Sequence, residues 1–212
     1  MRRLAFEYAR RCLWAASLLS TLAVTAVAPG ATTGPTEQLK TAIDQVLKIL
    51  DDPALKPEAR LPERRKAIRR IADEIFDFEE MAQRALGQHW RPLTAEQRKE
   101  FIPLFADLLD RAYISTIERY SGEPIQYTAE RVEGDLAMVS TKIIAQQATE
   151  IPVVYRMLRH GDRWLVYDVS VEGVSLVANY RTQFNNVIRR SSFDELMKRM
   201  RTRIEEFRAP QR

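Results

Sequence analysis

An α+β fold, with a four-stranded antiparallel sheet packed against several helices, is predicted by three features of this 212-residue sequence. Apolar residues recur at helical spacing as far as Tyr120, at strand spacing from Pro124 to Val171, and at helical spacing again after Gly173. The strand segments are joined by turns too short for a crossover helix, which selects antiparallel hairpins. A block of helices, a run of strands and a second block of helices then make a layer of helices over one sheet face. No internal repeat and no long linker divides the chain.

The elements follow in order. Leu39, Ile43, Val46, Leu47 and Leu50 lay out a first amphipathic helix, closed by Asp51, Asp52 and Pro53. After a charged stretch punctuated by Pro57 and Pro62, the residues Ile68, Ile71, Ala72, Ile75 and Phe76 make a second apolar stripe. Asp77 reads as the N-cap of a short helix carrying Phe78, Met81, Ala85 and Leu86 and stopped at Gly87. Thr94-Ala95-Glu96-Gln97 has capping-box spacing and opens the longest helix, with Phe101, Phe105, Leu108, Leu109, Ala112, Tyr113, Ile117 and Tyr120 along one face. Pro103 lacks a backbone donor, so a kink or break is expected near residues 99–103.

The strands are expected at Ile125 to Val132, Leu136 to Ala145, Ile151 to Arg159 and Arg163 to Val171. Pro152 cannot donate to a ladder, which places it at a strand start or an edge. Two more stripes follow. Leu176, Val177, Tyr180, Phe184, Val187 and Ile188 form one, and Phe193, Leu196, Met197, Met200, Ile204 and Phe207 form the other, with Ser192 to Glu195 as a second capping box.

Charge narrows the function classes. The formal net charge is +4, but Arg2, Arg3, Arg10 and Arg11 precede an uncharged run from Cys12 to Ala28. A basic start, an apolar run and small residues at its end are the parts of a secretory signal peptide, assigned to residues 1–28. The cut is expected after Ala28 or after Ala26; an uncleaved anchor is the alternative. With four of the 33 basic and one of the 29 acidic residues inside that segment, the remainder is almost neutral. Nucleic-acid binding needs a concentrated basic face and is disfavoured. The single cysteine precedes the apolar run, so the exported chain would carry none, which suits the periplasm.

Catalytic constellations are missing. The sequence has no G-x-S-x-G elbow, P-loop, dinucleotide fingerprint or H-E-x-x-H helix, and its two histidines stand far apart at turns. The expectation is therefore no enzyme, no metal and no cofactor. One acid invites comparison: Asp168 stands in the last long strand, where burial in an apolar hollow would make it a base, as in some cone-shaped α+β enzymes. The favoured reading is that Asp168 faces away from any hollow and caps or pairs with a neighbouring element.

Specific residues then outweigh the pattern. Asp77-Phe78, Ala85-Leu86-Gly87 with Trp90, and Thr94 with Glu96-Gln97-Arg98 lead to Phe101, Phe105 and Tyr113. Trp164, Tyr167-Asp168, Glu172-Gly173-Val174-Ser175-Leu176-Val177, Asn179-Tyr180-Arg181, Phe184 and Ser191-Ser192-Phe193 follow. In this order, from about residue 36 to 205, the set resembles the toluene-tolerance family of periplasmic phospholipid-binding proteins. The resemblance implies an NTF2-like fold enclosing an apolar cavity between sheet and helices, with residues 36–208 as a single lipid-binding domain. It also implies a monomeric carrier of glycerophospholipid between an outer-membrane lipoprotein complex and an inner-membrane ABC transporter bearing an MCE-domain protein. A hopanoid or other lipid is the alternative cargo.

The expected cavity lining is Phe105, Leu108, Leu109 and Tyr113 from the long helix, and Val174, Tyr180 and Phe184 from the chain that follows the sheet. The strands supply Val139, Ile143, Val153, Tyr155, Met157, Leu165, Tyr167 and Val169. The strand residues share a face by counting in twos, and the opposite-facing set is the alternative lining.

Overall fold

A computed structural model of the protein describes residues 33–145, 147 and 149–208. The expected export segment, residues 1–28, lies outside the described residues. Among those described, no helix is long and apolar enough to cross a membrane.

The elements run α1 (Pro35–Asp51), α2 (Leu61–Ile75), α3 (Phe78–Leu86), α4 (Ala95–Ile117), β1 (Ile125–Glu133), β2 (Leu136–Ile144), β3 (Glu150–His160), β4 (Arg163–Val171), β5 (Val174–Ser175), α5 (Leu176–Arg190) and α6 (Phe193–Arg208). The sheet is antiparallel in the order β1-β2-β3-β4-β5. It therefore has five strands where four are expected. The fifth is a two-residue strand that pairs Ser170 with Ser175 and Val171 with Val174, too short to leave a period-two signal.

Caps fix most helix starts. The Asp77 carboxylate accepts the Glu80 amide at 2.9 Å and begins α3, while Gly87, at φ 55°, takes the left-handed geometry that ends it. Thr94 and Gln97 exchange the two bonds of a capping box and begin α4. Ser175 Oγ accepts from Ala178 N–H to begin α5, and Ser192 Oγ from Glu195 N–H to begin α6. Pro103 does not break α4, which runs continuously from Ala95 to Ile117. Only one ladder bond is forfeited there, and the buried Phe101 and Phe105 on either side hold the helix in the core.

Two apolar clusters organise the molecule. The first is helical: Phe101, Phe105, Leu108 and Leu109 of α4 pack with Met81, Ala85 and Leu86 of α3, Val177 and Phe184 of α5, and Leu196, Met197, Met200 and Ile204 of α6. Phe105 and Phe184 meet edge to face, with ring centres 5.4 Å apart. The second lies on the sheet: Ala137, Val139, Met157, Trp164 and Val166 pack with Leu39, and Ile43 and Ile75 lean on the same group. Thus α1 and α2 cover the sheet, and the main packing partners of α4 are α3 and α6. The joint between α2 and α3 docks on β4, where Asp77 N–H donates to Val166 C=O at 2.9 Å.

Candidate functional site

Register decides which strand side chains meet. Val139 stands opposite Tyr155, Thr141 opposite Val153 and Ile143 opposite Ile151. Tyr155 in turn faces Val169, Val153 faces Val171, and Tyr127 of β1 faces Thr141. Directly paired residues share a face. Of the expected strand lining, Val139, Ile143, Val153, Tyr155, Met157 and Val169 therefore form one surface, the one that α1 covers.

Leu165 and Tyr167 do not share it. β4 is bulged: Arg156 pairs with Asp168, but the next residue, Met157, pairs with Val166, so Tyr167 is passed over. One extra residue reverses the parity of all that precedes it. Leu165 consequently pairs with Leu158 on the far side, and Tyr167 packs into the helical cluster beneath the Arg84 guanidinium, 4.1 Å from its ring centre.

The strand face is covered unevenly, with Thr141 and Val153 buried at 2% and 4% exposure. Val139 and Met157 are fully buried under Leu39, whereas Tyr127, Ile143, Ile151, Tyr155 and Val169 are only half-buried and Val171 is exposed. On α1, Ile43 packs on the sheet, and Val46, Leu47 and Leu50 follow it at three, four and seven residues, on the same helix face. They too are half-buried. The apolar strand face, like the helix stripe, is thus left partly uncovered.

Its polar side chains, Tyr127, Thr141 and Tyr155, are uncharged at neutral pH. Burial pushes the Tyr155 phenol up to about 12 and raises that of Tyr127 further. Thr141 Oγ1 donates to Val153 C=O at 3.3 Å.

The other expected lining residues lie elsewhere. Leu108, Tyr113, Tyr180 and Phe184 border an open groove of about 500 Å³ between α4, α5 and α6, with Met200 and Phe207 in its wall and Arg199 and Arg203 at its rim. Phe105 and Leu109 are interior to the helical cluster. Val174 is 64 % exposed on β5. The structure therefore presents two apolar surfaces, one on the sheet and one among the C-terminal helices.

Asp168 is committed to structure. It is 6 % exposed and accepts from Val177 N–H at 3.1 Å, Ser175 Oγ at 2.7 Å and Arg156 Nη1 at 3.1 Å. Its charge sits at the start of α5, where the helix dipole favours an anion. Both carboxylate oxygens are engaged in these bonds, and the side chain points away from the strand surface described above.

A clasp between α2 and α4 has no counterpart in the sequence reading. Glu118, just past α4, accepts from Arg64 at 3.1 Å and from Arg65 at 2.8 Å. Burial alone would raise the Glu118 carboxyl, but the bonds from the two arginines outweigh it and hold the group below the usual carboxylate range. The partners are separated by the whole of α3 and α4, and no local spacing announces them. Among the described residues no cluster of three or more His, Cys, Asp or Glu side chains gathers for a metal.

Comparison with known proteins agrees with this architecture. The phospholipid-binding protein of Ralstonia solanacearum, solved in complex with a phospholipid, matches with a TM-score of 0.75 at 25% identity, covering 84% of this chain and 100% of that one. The intermembrane phospholipid transport system binding protein MlaC of Haemophilus influenzae is 26% identical over 129 residues, 58% of this chain and 60% of its own. The toluene tolerance protein ttg2D of Pseudomonas putida is 25% identical over 130 residues, 60% of each chain. The matched region thus spans about three-fifths of the length of these two curated relatives. The model of the MlaC protein family matches residues 40–202, most of the chain, and the chain accordingly belongs to that family.

Proposed function

We propose that this protein is a periplasmic carrier that holds the acyl chains of a glycerophospholipid against the half-open strand face and passes the lipid between membranes. The observation that carries the reading is the likeness, over 84% of this chain and the whole of the other, to a chain solved with a phospholipid bound. The site's chemistry supports it. At about 0.8 kcal/mol per buried CH₂, two acyl chains of ordinary length cost roughly 20 kcal/mol to expose to water. An aliphatic strand face opposed by Val46, Leu47 and Leu50, with neutral phenols as its polar groups, offers the dry surface this demands.

The headgroup stays at the open end in water, so tails rather than headgroups are selected. Release follows from a partner that separates α1 and α2 from the sheet. In this reading the donor and acceptor are an outer-membrane lipoprotein complex and an inner-membrane ABC transporter with an MCE-domain protein, and residues 1–28 are removed on export. The basic start and the apolar run within those residues support export.

Native mass spectrometry of protein taken from cells is expected to find a phospholipid mass bound. Val169→Asp sets a carboxylate on the strand face and should lower the lipid load about tenfold or more, since an unpaired charge against hydrocarbon costs several kcal/mol. Tyr113→Asp alters the helical groove at a residue already 38% exposed and should leave the load unchanged. Emptying by Tyr113→Asp alone would move the tails to the groove; lipid-free wild-type protein would refute the carrier reading.

A further inference from the structure

Three buried side-chain polar atoms have no hydrogen-bonding partner among the described residues: Thr36 Oγ1, Arg98 Nε and Tyr127 OH. Arg98 uses another of its nitrogens, donating from Nη2 to the carbonyls of Trp90 and Arg91. The other two lie along one seam. Thr36 stands in the first turn of α1, its N–H donating to Glu130 of β1, and Tyr127 stands on β1 itself, packed against the sheet cluster. A buried hydroxyl without a partner is costly and uncommon in a native fold, so it marks a place where something else is meant to bond.

Tyr127 is the informative one, because its strand position sets it on the apolar face that α1 partly covers. Its cross-strand partner is Thr141, in the row that continues through Val153 to Val171. Burial keeps its phenol protonated, and a protonated phenol is a donor in search of an acceptor. The acceptor's charge is constrained too. The carboxylates of Asp44 and Glu37, on the adjoining face of α1, lie close enough to act on the Tyr127 phenol. Asp44 is itself paired with Lys40, so with Glu37 alongside these three groups offer a phosphodiester no surplus of positive charge, and a neutral carbonyl needs none. In a diacyl glycerophospholipid, the neutral acceptors lying between tails and headgroup are the two ester carbonyls.

We infer that the Tyr127 hydroxyl donates a hydrogen bond to an ester carbonyl of the bound lipid, fixing how deep the glycerol enters and selecting ester-linked over ether-linked chains. This rests on the carrier reading above. It gives the hollow a specificity that an aliphatic wall alone lacks, because a site built to bond an oxygen discriminates against the analogue without it.

The test is a competition, read by native mass spectrometry, between dipalmitoyl phosphatidylglycerol and its dihexadecyl ether analogue, which keeps chains and headgroup but has no carbonyl. Delipidated wild-type protein is expected to favour the ester about three- to tenfold, the worth of one neutral hydrogen bond. Tyr127→Phe should bring the ratio close to one by weakening the ester complex, with its thermal midpoint recorded alongside. A wild-type protein indifferent to the linkage overturns the inference by itself, whatever the variant's folding. A folded Tyr127→Phe protein that keeps the preference overturns it equally. Uptake of neither lipid would sink the carrier reading along with it, whereas uptake of both without preference sinks only the role of Tyr127.

Discussion

Asp168 illustrates how a single side chain settles between two readings. An acid in a strand near a hollow is compatible with a base, but its oxygens are taken by Arg156, Ser175 and the Val177 amide. Replacing it with Asn removes a charge from a helix start and weakens three bonds. We expect Asp168→Asn to lower stability by about 1–3 kcal/mol in urea titrations while leaving the bound lipid in place. An undisturbed midpoint would mean that these bonds carry no net energy. The sequence made this role legible in part, since an acid in a strand beside a following helix favours the reading in which it caps or pairs with a neighbouring element. The unpartnered hydroxyl of Tyr127 was not legible, because it depends on which atoms are absent around it, and no residue pattern encodes that.

Elements were easier to read than their relations. Among the described residues, apolar periodicity predicts all six α-helices and four of the five strands, and the caps at Asp77, Thr94 and Ser192 fix where three helices begin. Counting in twos fails for the expected lining at the β4 bulge, which sends Leu165 and Tyr167 away from Val169; β1 carries a second register shift, between Tyr127 and Ala129. A bulge adds a residue without changing composition, so only the pairing reveals it. The clasp from α2 to α4 was equally hidden. Glu118 is 10% exposed, and its two arginines tie a helix pair to a helix with which it shares little close packing. Glu118→Gln should therefore destabilise the protein by about 1–3 kcal/mol and, more tellingly, speed amide exchange in α2 while sparing α5 and α6. Uniform acceleration across all helices would show that the clasp serves global stability and has no special hold on α2.

At the scale of the molecule, the two apolar clusters make different demands. The helical cluster is filled with aromatic rings in contact, while the strand surface mixes buried residues, Val139, Val153 and Met157, with half-buried ones, Tyr155 and Val169. Each contains a phenol that burial keeps neutral, Tyr180 in the first and Tyr155 in the second, both pushed up to about 12. A raised tyrosine favours the fold while it stays protonated. The stability it lends is complete below its ordinary value near 10 and is lost as pH climbs from there towards 12. Urea midpoints should thus be flat from pH 7 to 9 and fall by pH 11; a midpoint unchanged at pH 11 would mean that these hydroxyls reach water. The order of the chain adds a last consequence. Successive strands meet through tight turns, but Leu39, which covers Val139 and Met157, belongs to the opening helix. Closing that long loop carries an entropic cost that the hairpins escape. The meander can zip early, then, while its oily floor waits for the opening helix to roof it.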